Sequence, residues 1–141
     1  MVIDSSALLA IVLAEADAQM YIDAIERALA EKRPVYVPAS VLVEAGIVAD
    51  SRNCGTLLDA LLDRLQPEIV PLDRSLADLS RRAFRRFGRG RHAAKLNFGD
   101  CMSYATAESL RVPLLFKGED FRRTPVRSAL RPLKPESPML D

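Results

Sequence analysis

The stretch VIDSSALL, residues 2–9, decides how the rest of the chain is interpreted. A short apolar run ends at Asp4, two hydroxyl residues follow, and a helical pattern then begins. In an open α/β sheet, ligands bind in the crevice outside the carboxyl ends of the strands. A carboxylate at such a strand end can cap the following helix or belong to a binding site, and both interpretations stay open for Asp4.

Short β-prone segments alternate with helical patterns along the remaining chain. Strands are predicted at residues 1–4, 35–37, 68–72 and 112–116, with a possible short fifth strand at 124–126. Such alternation is typical of the α/β class and predicts a mostly parallel sheet of four to five short strands, covered by helices on both faces. We expect one domain over residues 1–130 and an irregular, proline-interrupted tail at 131–141.

Composition excludes several classes of protein. The chain has 141 residues, 28% of them charged, and a net charge of +1, so the overall charge gives no argument for nucleic acid or membrane. Two cysteines and one histidine are too few for a closed zinc site. No apolar span is long enough to cross a bilayer and no leader is recognisable, so we expect a reduced, cytoplasmic protein without membrane contact.

Four carboxylates stand out by position: Asp4, Glu44, Asp100 and Asp120. Residues 39–49 form a helical segment that is apolar on every side, so we expect it to be buried, and Glu44 would then need a salt bridge or a site to belong to. Asp100 is predicted to open a helix and could be only its N-cap. Asp120, with Glu119 beside it, follows the fourth strand and could be only a turn residue.

Taken together, the four carboxylates indicate a metal site. A parallel sheet brings the ends of the first and fourth strands to one edge, and Asp100 reaches that edge if residues 87–99 return to it. Converging carboxylates repel each other unless a cation binds, and Mg²⁺ or Mn²⁺ prefers oxygen ligands. Such an ion activates water for phosphodiester hydrolysis, without a cysteine or histidine nucleophile.

Four segments that carry these acids resemble one family: VIDSSAL (2–8), SVLVE (40–44), LNFGDC (96–101) and LLFKGEDF (114–121). Together they resemble the PIN-domain ribonucleases, in particular the VapC toxins of bacterial type II toxin–antitoxin pairs. The resemblance implies a PIN-like α/β/α sandwich and RNA cleavage by water that depends on Mg²⁺ or Mn²⁺. It also implies a VapB-like antitoxin that holds the toxin inactive, and a homodimer. The apolar surface of the third and fourth predicted helices suits such contacts, or it is simply core.

The resemblance also assigns roles to single residues. Asp4, Glu44 and Asp100 match the first three acidic positions of the family, and Ser6 matches a hydroxyl residue that supports the first aspartate. Many relatives carry an acid or asparagine where this chain has Gly118. Asp120 is therefore the best candidate for the fourth ligand, with Glu119 as second choice.

A basic segment precedes Asp100. Residues 81–95 contain seven Lys or Arg residues and no acid. Such a run is usually a solvated helix face, but phosphate contacts also need clustered cations, and this run leads into the candidate site. We expect the segment to guide RNA through Arg86, Arg89, Arg91 and Lys95.

Two other functions are compatible with the sequence. A catalytically idle PIN-like binding module would share the fold. A phosphoacceptor signalling domain also has acids at strand ends, but usually paired acids after the first strand, whereas Asp4 is followed by Ser5 and Ser6.

Overall fold

The computed structural model describes residues 1–130, so the predicted tail at 131–141 lies outside the described residues. Four strands form one sheet in the order β3-β2-β1-β4, with all neighbours parallel. The strands are β1 (Val2–Ile3), β2 (Tyr36–Pro38), β3 (Glu68–Val70) and β4 (Leu114–Leu115). The parallel α/β prediction is therefore confirmed.

Six α-helices connect the strands. They are α1 (Ser5–Val12), α2 (Ala18–Ala30), α3 (Ala39–Ser51), α4 (Gly55–Leu65), α5 (Arg74–Phe87) and α6 (Phe98–Leu110), and a 3₁₀ turn follows at Phe121–Arg123. No helix within residues 1–130 is both long and apolar enough to cross a membrane.

The sheet separates two hydrophobic clusters because strand side chains alternate between its faces. Ile3 and Leu115 pack with apolar residues of α1, α2, α3 and α4. Val2 and Leu114 pack on the other face, with residues of α5 and α6. These strand residues are completely buried, as expected when helices cover both faces of a parallel sheet. The architecture is the predicted α/β/α sandwich.

Three sequence predictions differ from the structure. The segment at 124–126 forms no strand; instead Ser128 makes an isolated bridge to Leu114. Helix α6 begins at Phe98, not at Asp100, because Asn97 is its N-cap. Helix α3 is not buried on every side.

Only one stripe of α3 faces the core. Val41, Ala45 and Ala49, spaced four residues apart, are buried, whereas Val43 and Ile47 are 61% and 62% exposed. Residues four apart share one face of a helix, so the apolar residues of the other faces remain outside the core. The sequence is uniformly apolar here, but the packing of α3 is one-sided.

Candidate metal centre

Asp4 lies at the carboxyl end of β1 and is 3% exposed. Its amide donates to the Leu115 carbonyl at 2.9 Å, which ties this strand end to β4. Its Oδ2 accepts hydrogen bonds from the amide and hydroxyl of Ser6, at 3.1 and 2.6 Å. Asp4 is thus the N-cap of α1, as one interpretation predicted, and its carboxylate is held at the sheet edge where the other acids gather.

Ser103 is a partner of Asp4 that the sequence analysis missed. Its hydroxyl donates to Asp4 Oδ1 at 2.6 Å, and the residue is completely buried. Because strand side chains alternate, Asp4 lies on the same face of the sheet as Val2, which is the face that α6 covers. The available signal was weak: Ser103 follows Asp100 by three residues, which places both on one helix face.

Ser6 links β1 to the loop that carries Asp120. Its hydroxyl donates to Asp4 and accepts a hydrogen bond from the Lys117 amide at 3.0 Å. The Lys117 ammonium is directed elsewhere, to Glu15 and, at 3.0 Å, to Asp17. The side-chain hydrogen bonds with these two acids raise the Lys117 pKa, so the ammonium group remains protonated and positively charged.

Glu44 is exposed as a residue, so the prediction that it is a buried carboxylate is wrong. Its carboxylate nevertheless lies close to the backbone of Gly99 on α6. A Cβ added at Gly99 would be 2.4 Å from Glu44 Oε2, so only a glycine fits here without displacing the carboxylate. Partial burial and then the charge of Asp4 raise the pKa of the Glu44 carboxyl, and a hydrogen bond with the Ser5 side chain opposes them. The Glu44 carboxylate therefore lies next to the start of α6 and within electrostatic range of Asp4.

Asp100 is the third residue of α6 and closes a capping box with Asn97. The Asn97 amide donates to Asp100 Oδ2 at 3.0 Å, and the Asp100 amide donates to Asn97 Oδ1 at 2.8 Å. Burial raises the pKa of Asp100 to about 6, with further upward contributions from the charges of Asp4, Asp120 and Glu44. The hydrogen bond from Asn97 acts in the opposite direction.

Asp120 and Glu119 are separated by the structure. Asp120 lies close enough to Asp100 for its charge to raise the Asp100 pKa. The Glu119 carboxylate instead faces Arg122, with 3.6 Å between Glu119 Oε1 and Arg122 Nε, and remains largely in solvent. Of these two acids, Asp120 is the one that shares the electrostatic environment of Asp100.

The four acids Asp4, Glu44, Asp100 and Asp120 form a partly desolvated group of like charges. None of them takes part in an ion pair of residues 1–130. In the same part of the chain, no three Asp, Glu, His or Cys side chains are close enough to surround an ion directly. Mg²⁺ usually keeps several waters and takes only one or two carboxylates, so this donor set fits an open, water-rich site and not a closed cage.

Neither Cys101 nor His92 is placed as a nucleophile or a base. Burial and the neighbouring Asp100 charge raise the pKa of the Cys101 thiol to about 11, so it remains protonated. His92 lies on the surface, where its Nδ1 accepts the Ala94 amide at 3.0 Å and its ring contacts Phe87 edge-on. Neither residue is therefore a candidate for the chemistry at the acids.

The basic segment divides into two parts. Arg86 on α5 is paired with Glu108 at 3.3 Å and lies over the Phe87 ring. Beyond the helix, residues 88–96 form a loop whose ends are joined by hydrogen bonds between Phe87, Arg89 and Leu96. The loop residues Arg89, Arg91 and Lys95 line one shallow, open groove. Of the four predicted RNA contacts, Arg86 is thus partly neutralised within the chain, whereas the other three share one surface.

Comparisons with known proteins agree with this architecture. The model of the PIN domain family matches residues 1–127. "Ribonuclease VapC" of Mycolicibacterium smegmatis is 45% identical over 129 residues, which cover 89% of this chain and 97% of that protein. "Ribonuclease VapC28" of Mycobacterium tuberculosis is 42% identical over 134 residues, covering 92% and 98%.

A solved structure has the same fold. The crystal structure of Mycobacterium tuberculosis VapC20, described as a sarcin–ricin-loop-cleaving toxin, superimposes with a TM-score of 0.69 at 17% identity, covering 89% of this chain and 95% of that chain. The family match also removes the phosphoacceptor alternative. With two curated relatives above 40% identity and a family match over nearly the whole chain, this protein belongs to the PIN-domain ribonucleases of the VapC toxin family.

Proposed function

We propose that the chain is a divalent-metal-dependent endoribonuclease toxin that cleaves RNA phosphodiester bonds with water. Asp4, Glu44, Asp100 and Asp120 would hold the ion, Mg²⁺ or Mn²⁺. The observation that carries the proposal is the placement of the acids: serine hydroxyls hold both oxygens of Asp4 at the end of β1, the Glu44 carboxylate approaches Gly99, and Asp100 is the next residue of the same helix. The charges of Asp4, Glu44 and Asp120 also raise the pKa of Asp100. A group of carboxylates that no basic side chain of residues 1–130 neutralises is suited to a hard cation.

The chain's own residues orient the acids before an ion binds. Ser6 and Ser103 fix the two oxygens of Asp4, so this carboxylate loses little freedom on binding. The capping box fixes Asp100 in the same way. When bound, the ion would supply a water of lowered pKa and would stabilise negative charge on a phosphoryl oxygen. Hydrogen-bonded outer partners of this kind commonly change metal affinity or activity by about 10- to 100-fold.

An RNA cleavage assay tests this proposal. Purified protein is incubated with mixed RNAs in Mg²⁺, Mn²⁺ or EDTA, beside the variants Asp4→Asn and Asp100→Asn. Cleavage should need the metal and should be lost in both variants. Glu119→Gln is the matched control, because this acid faces Arg122, and it should cleave like the parent. Cleavage that survives in both asparagine variants would contradict the proposal.

The partners follow from the same proposal. RNA is the substrate, and a VapB-like antitoxin would neutralise the protein in the cytoplasm. A cationic side chain of the antitoxin, placed among the four acids, would compensate their repulsion. The acids are available for such a contact, because none of them forms an ion pair within residues 1–130. Added antitoxin should therefore compete with Mn²⁺ for the acids, and inhibition unaffected by the metal concentration would contradict this placement.

We also propose a homodimer through α3 and α4. Val43 and Ile47 on α3, together with Leu57 on α4, are each about 60% exposed, an unusual exposure for three large apolar residues on adjacent helices. Ile47→Lys should therefore shift the protein toward monomer in sedimentation equilibrium. An unchanged association constant would contradict the use of this surface.

A further inference from the structure

An apolar cleft lies at the start of α6, the helix that carries Asp100. Its most prominent member is Phe98, the first residue of α6, which is 81% exposed and more exposed than any other large hydrophobic side chain of residues 1–130. Phe98, Phe84, Leu72 and Met102 line a cleft of about 360 Å³ between α5 and α6. This volume lies at the lower end of the range of about 300–1,000 Å³ found for small-molecule pockets.

The rim of this cleft is cationic. Arg81 is one of its lining residues, and the guanidinium of Arg91 lies 5.8 Å from the centre of the Phe84 ring. Neither arginine takes part in an ion pair of residues 1–130. An apolar floor with free positive charge at its edge matches a ligand that has a flat apolar part and an anionic part. A nucleotide has this chemistry in its base and its phosphate.

We propose that Phe98 is a stacking platform for an unpaired base of the RNA, and that Arg81 and Arg91 contact the adjoining phosphates. The inference rests on the proposed nuclease function, since Phe98 and Asp100 belong to the first turn of the same helix. Their side chains project from different sides of that turn, so the RNA has to cross the start of α6 to reach both. Aromatic side chains stack on bases without regard to sequence, and only unpaired bases offer a free face. Phe98 is therefore a positioning residue, which would hold one unpaired nucleotide of the RNA.

The absence of tryptophan from the chain provides a direct test. Phe98→Trp introduces a single indole at the platform, in an Asp4→Asn background that prevents cleavage. Binding of a single-stranded oligoribonucleotide, followed separately by anisotropy of a label on the RNA, should quench the indole emission. A matched control is Met20→Trp, which replaces a side chain of α2 that is 52% exposed and outside the cleft. The control should bind the same RNA without quenching.

Cleavage kinetics provide a second readout. Phe98→Leu keeps an apolar side chain but removes the aromatic face, and it should weaken binding of single-stranded RNA by about 5- to 150-fold, as loss of one stacked base does. Phe98→Tyr should restore binding. The loss should appear in KM more than in kcat, and cleavage of fully paired RNA should be unaffected. The exposed position predicts an unchanged melting temperature in both variants.

The outcomes separate the two proposals. If the parent neither binds nor cleaves RNA, the proposed function itself fails. If the parent cleaves RNA while Phe98→Trp emission does not change on binding, or Phe98→Leu binds normally, the stacking proposal alone is overturned. If Phe98→Leu changes only the association state in sedimentation, the cleft is an interface between copies of the chain, and the stacking proposal is likewise wrong.

Discussion

Replacing Ser103 with alanine removes the donor that residues 1–130 supply to Asp4 Oδ1. The bond is short, at 2.6 Å, and its donor is completely buried, so water cannot easily take its place. Hydrogen bonds to charged groups contribute about 1.5–3 kcal/mol to stability, and a serine-to-alanine change leaves almost no void. We therefore expect the free energy of unfolding to fall by about 1.5–3 kcal/mol at pH 7, with the melting temperature lowered by about 5 to 10 °C.

Urea denaturation in EDTA measures this loss without a bound ion. Ser109→Ala is the matched control, because it removes a hydroxyl from the exposed side of α6 and should change stability by no more than about 0.5 kcal/mol. In an Asp4→Asn background the cost of Ser103→Ala should be roughly halved, since a bond to a neutral group is weaker. Cleavage of RNA should fall by about 10- to 100-fold. If Ser103→Ala costs no more than Ser109→Ala, the bond does not stabilise Asp4.

Three further predictions concern the rim of the site and its approach. Gly99→Ala should lower RNA cleavage, because the added Cβ would lie 2.4 Å from Glu44 Oε2 and would displace that carboxylate. The fold should stay intact, because the displaced group is the end of a flexible side chain. In metal-free protein the folded pKa of Asp100 is about 6, above its ordinary 3.8, so the folded state binds the proton more tightly and stability falls as pH rises through that window. Asp100→Asn should make this fall smaller, with a remainder from Glu44, whose pKa is also raised. The variant should be more stable than the parent at pH 7 by about 1–2 kcal/mol after allowance for solvent screening. Replacing Arg89 and Arg91 with alanine should reduce the salt dependence of RNA binding by about 1.4 units of slope, since each phosphate contact to single strands contributes about 0.7.

Each of these predictions has its own control. Gly46→Ala makes the same change on α3 where no atom lies within 4 Å, so it should cleave normally, and equal activity of the two alanine variants would refute the steric argument. For Asp100, urea denaturation at pH 4, 5 and 7 is the measurement, and a parallel pH profile of parent and variant would contradict the raised pKa. For the basic loop, replacing Arg64 and Arg122 with alanine removes the same two positive charges elsewhere on the exposed surface, and an equal effect there would indicate only a general loss of charge.

Sequence reasoning found the acids at strand ends because parallel topology alone brings such positions together. Asp4 and Asp120 follow neighbouring parallel strands, β1 and β4, so strand order alone places both at the same edge of the sheet. Burial of Glu44, which the sequence predicts, is not what places it at the site: Glu44 is exposed, and its proximity to Gly99 results from how α3 packs against α6. The crossing of two helices is a tertiary property that the pattern of one helix does not encode.

Other features of the site depend on tertiary packing and side-chain direction, which a sequence pattern does not give. In the sequence, Ser103 is one small residue of a helix among others. Its role depends on the packing of α6 over the carboxyl end of β1, which brings its hydroxyl to Asp4. Choosing between Glu119 and Asp120 needed the direction of each side chain, and only the structure shows that Glu119 faces Arg122. The sequence predicts that Asp100 opens α6, whereas the helix begins at Phe98, because Asn97 is the N-cap and forms a capping box with Asp100 three residues later.

The central claim is that Asp4, Glu44, Asp100 and Asp120 bind one kind of divalent ion, and Mn²⁺ binding tests it most directly. Free Mn²⁺ is followed by electron paramagnetic resonance during titration of the protein without RNA. The parent should bind Mn²⁺, Asp100→Asn and Asp120→Asn should bind at least about tenfold more weakly, and Glu119→Gln should match the parent. Equal binding by the parent and Asp100→Asn, or a loss confined to Glu119→Gln, would contradict the account.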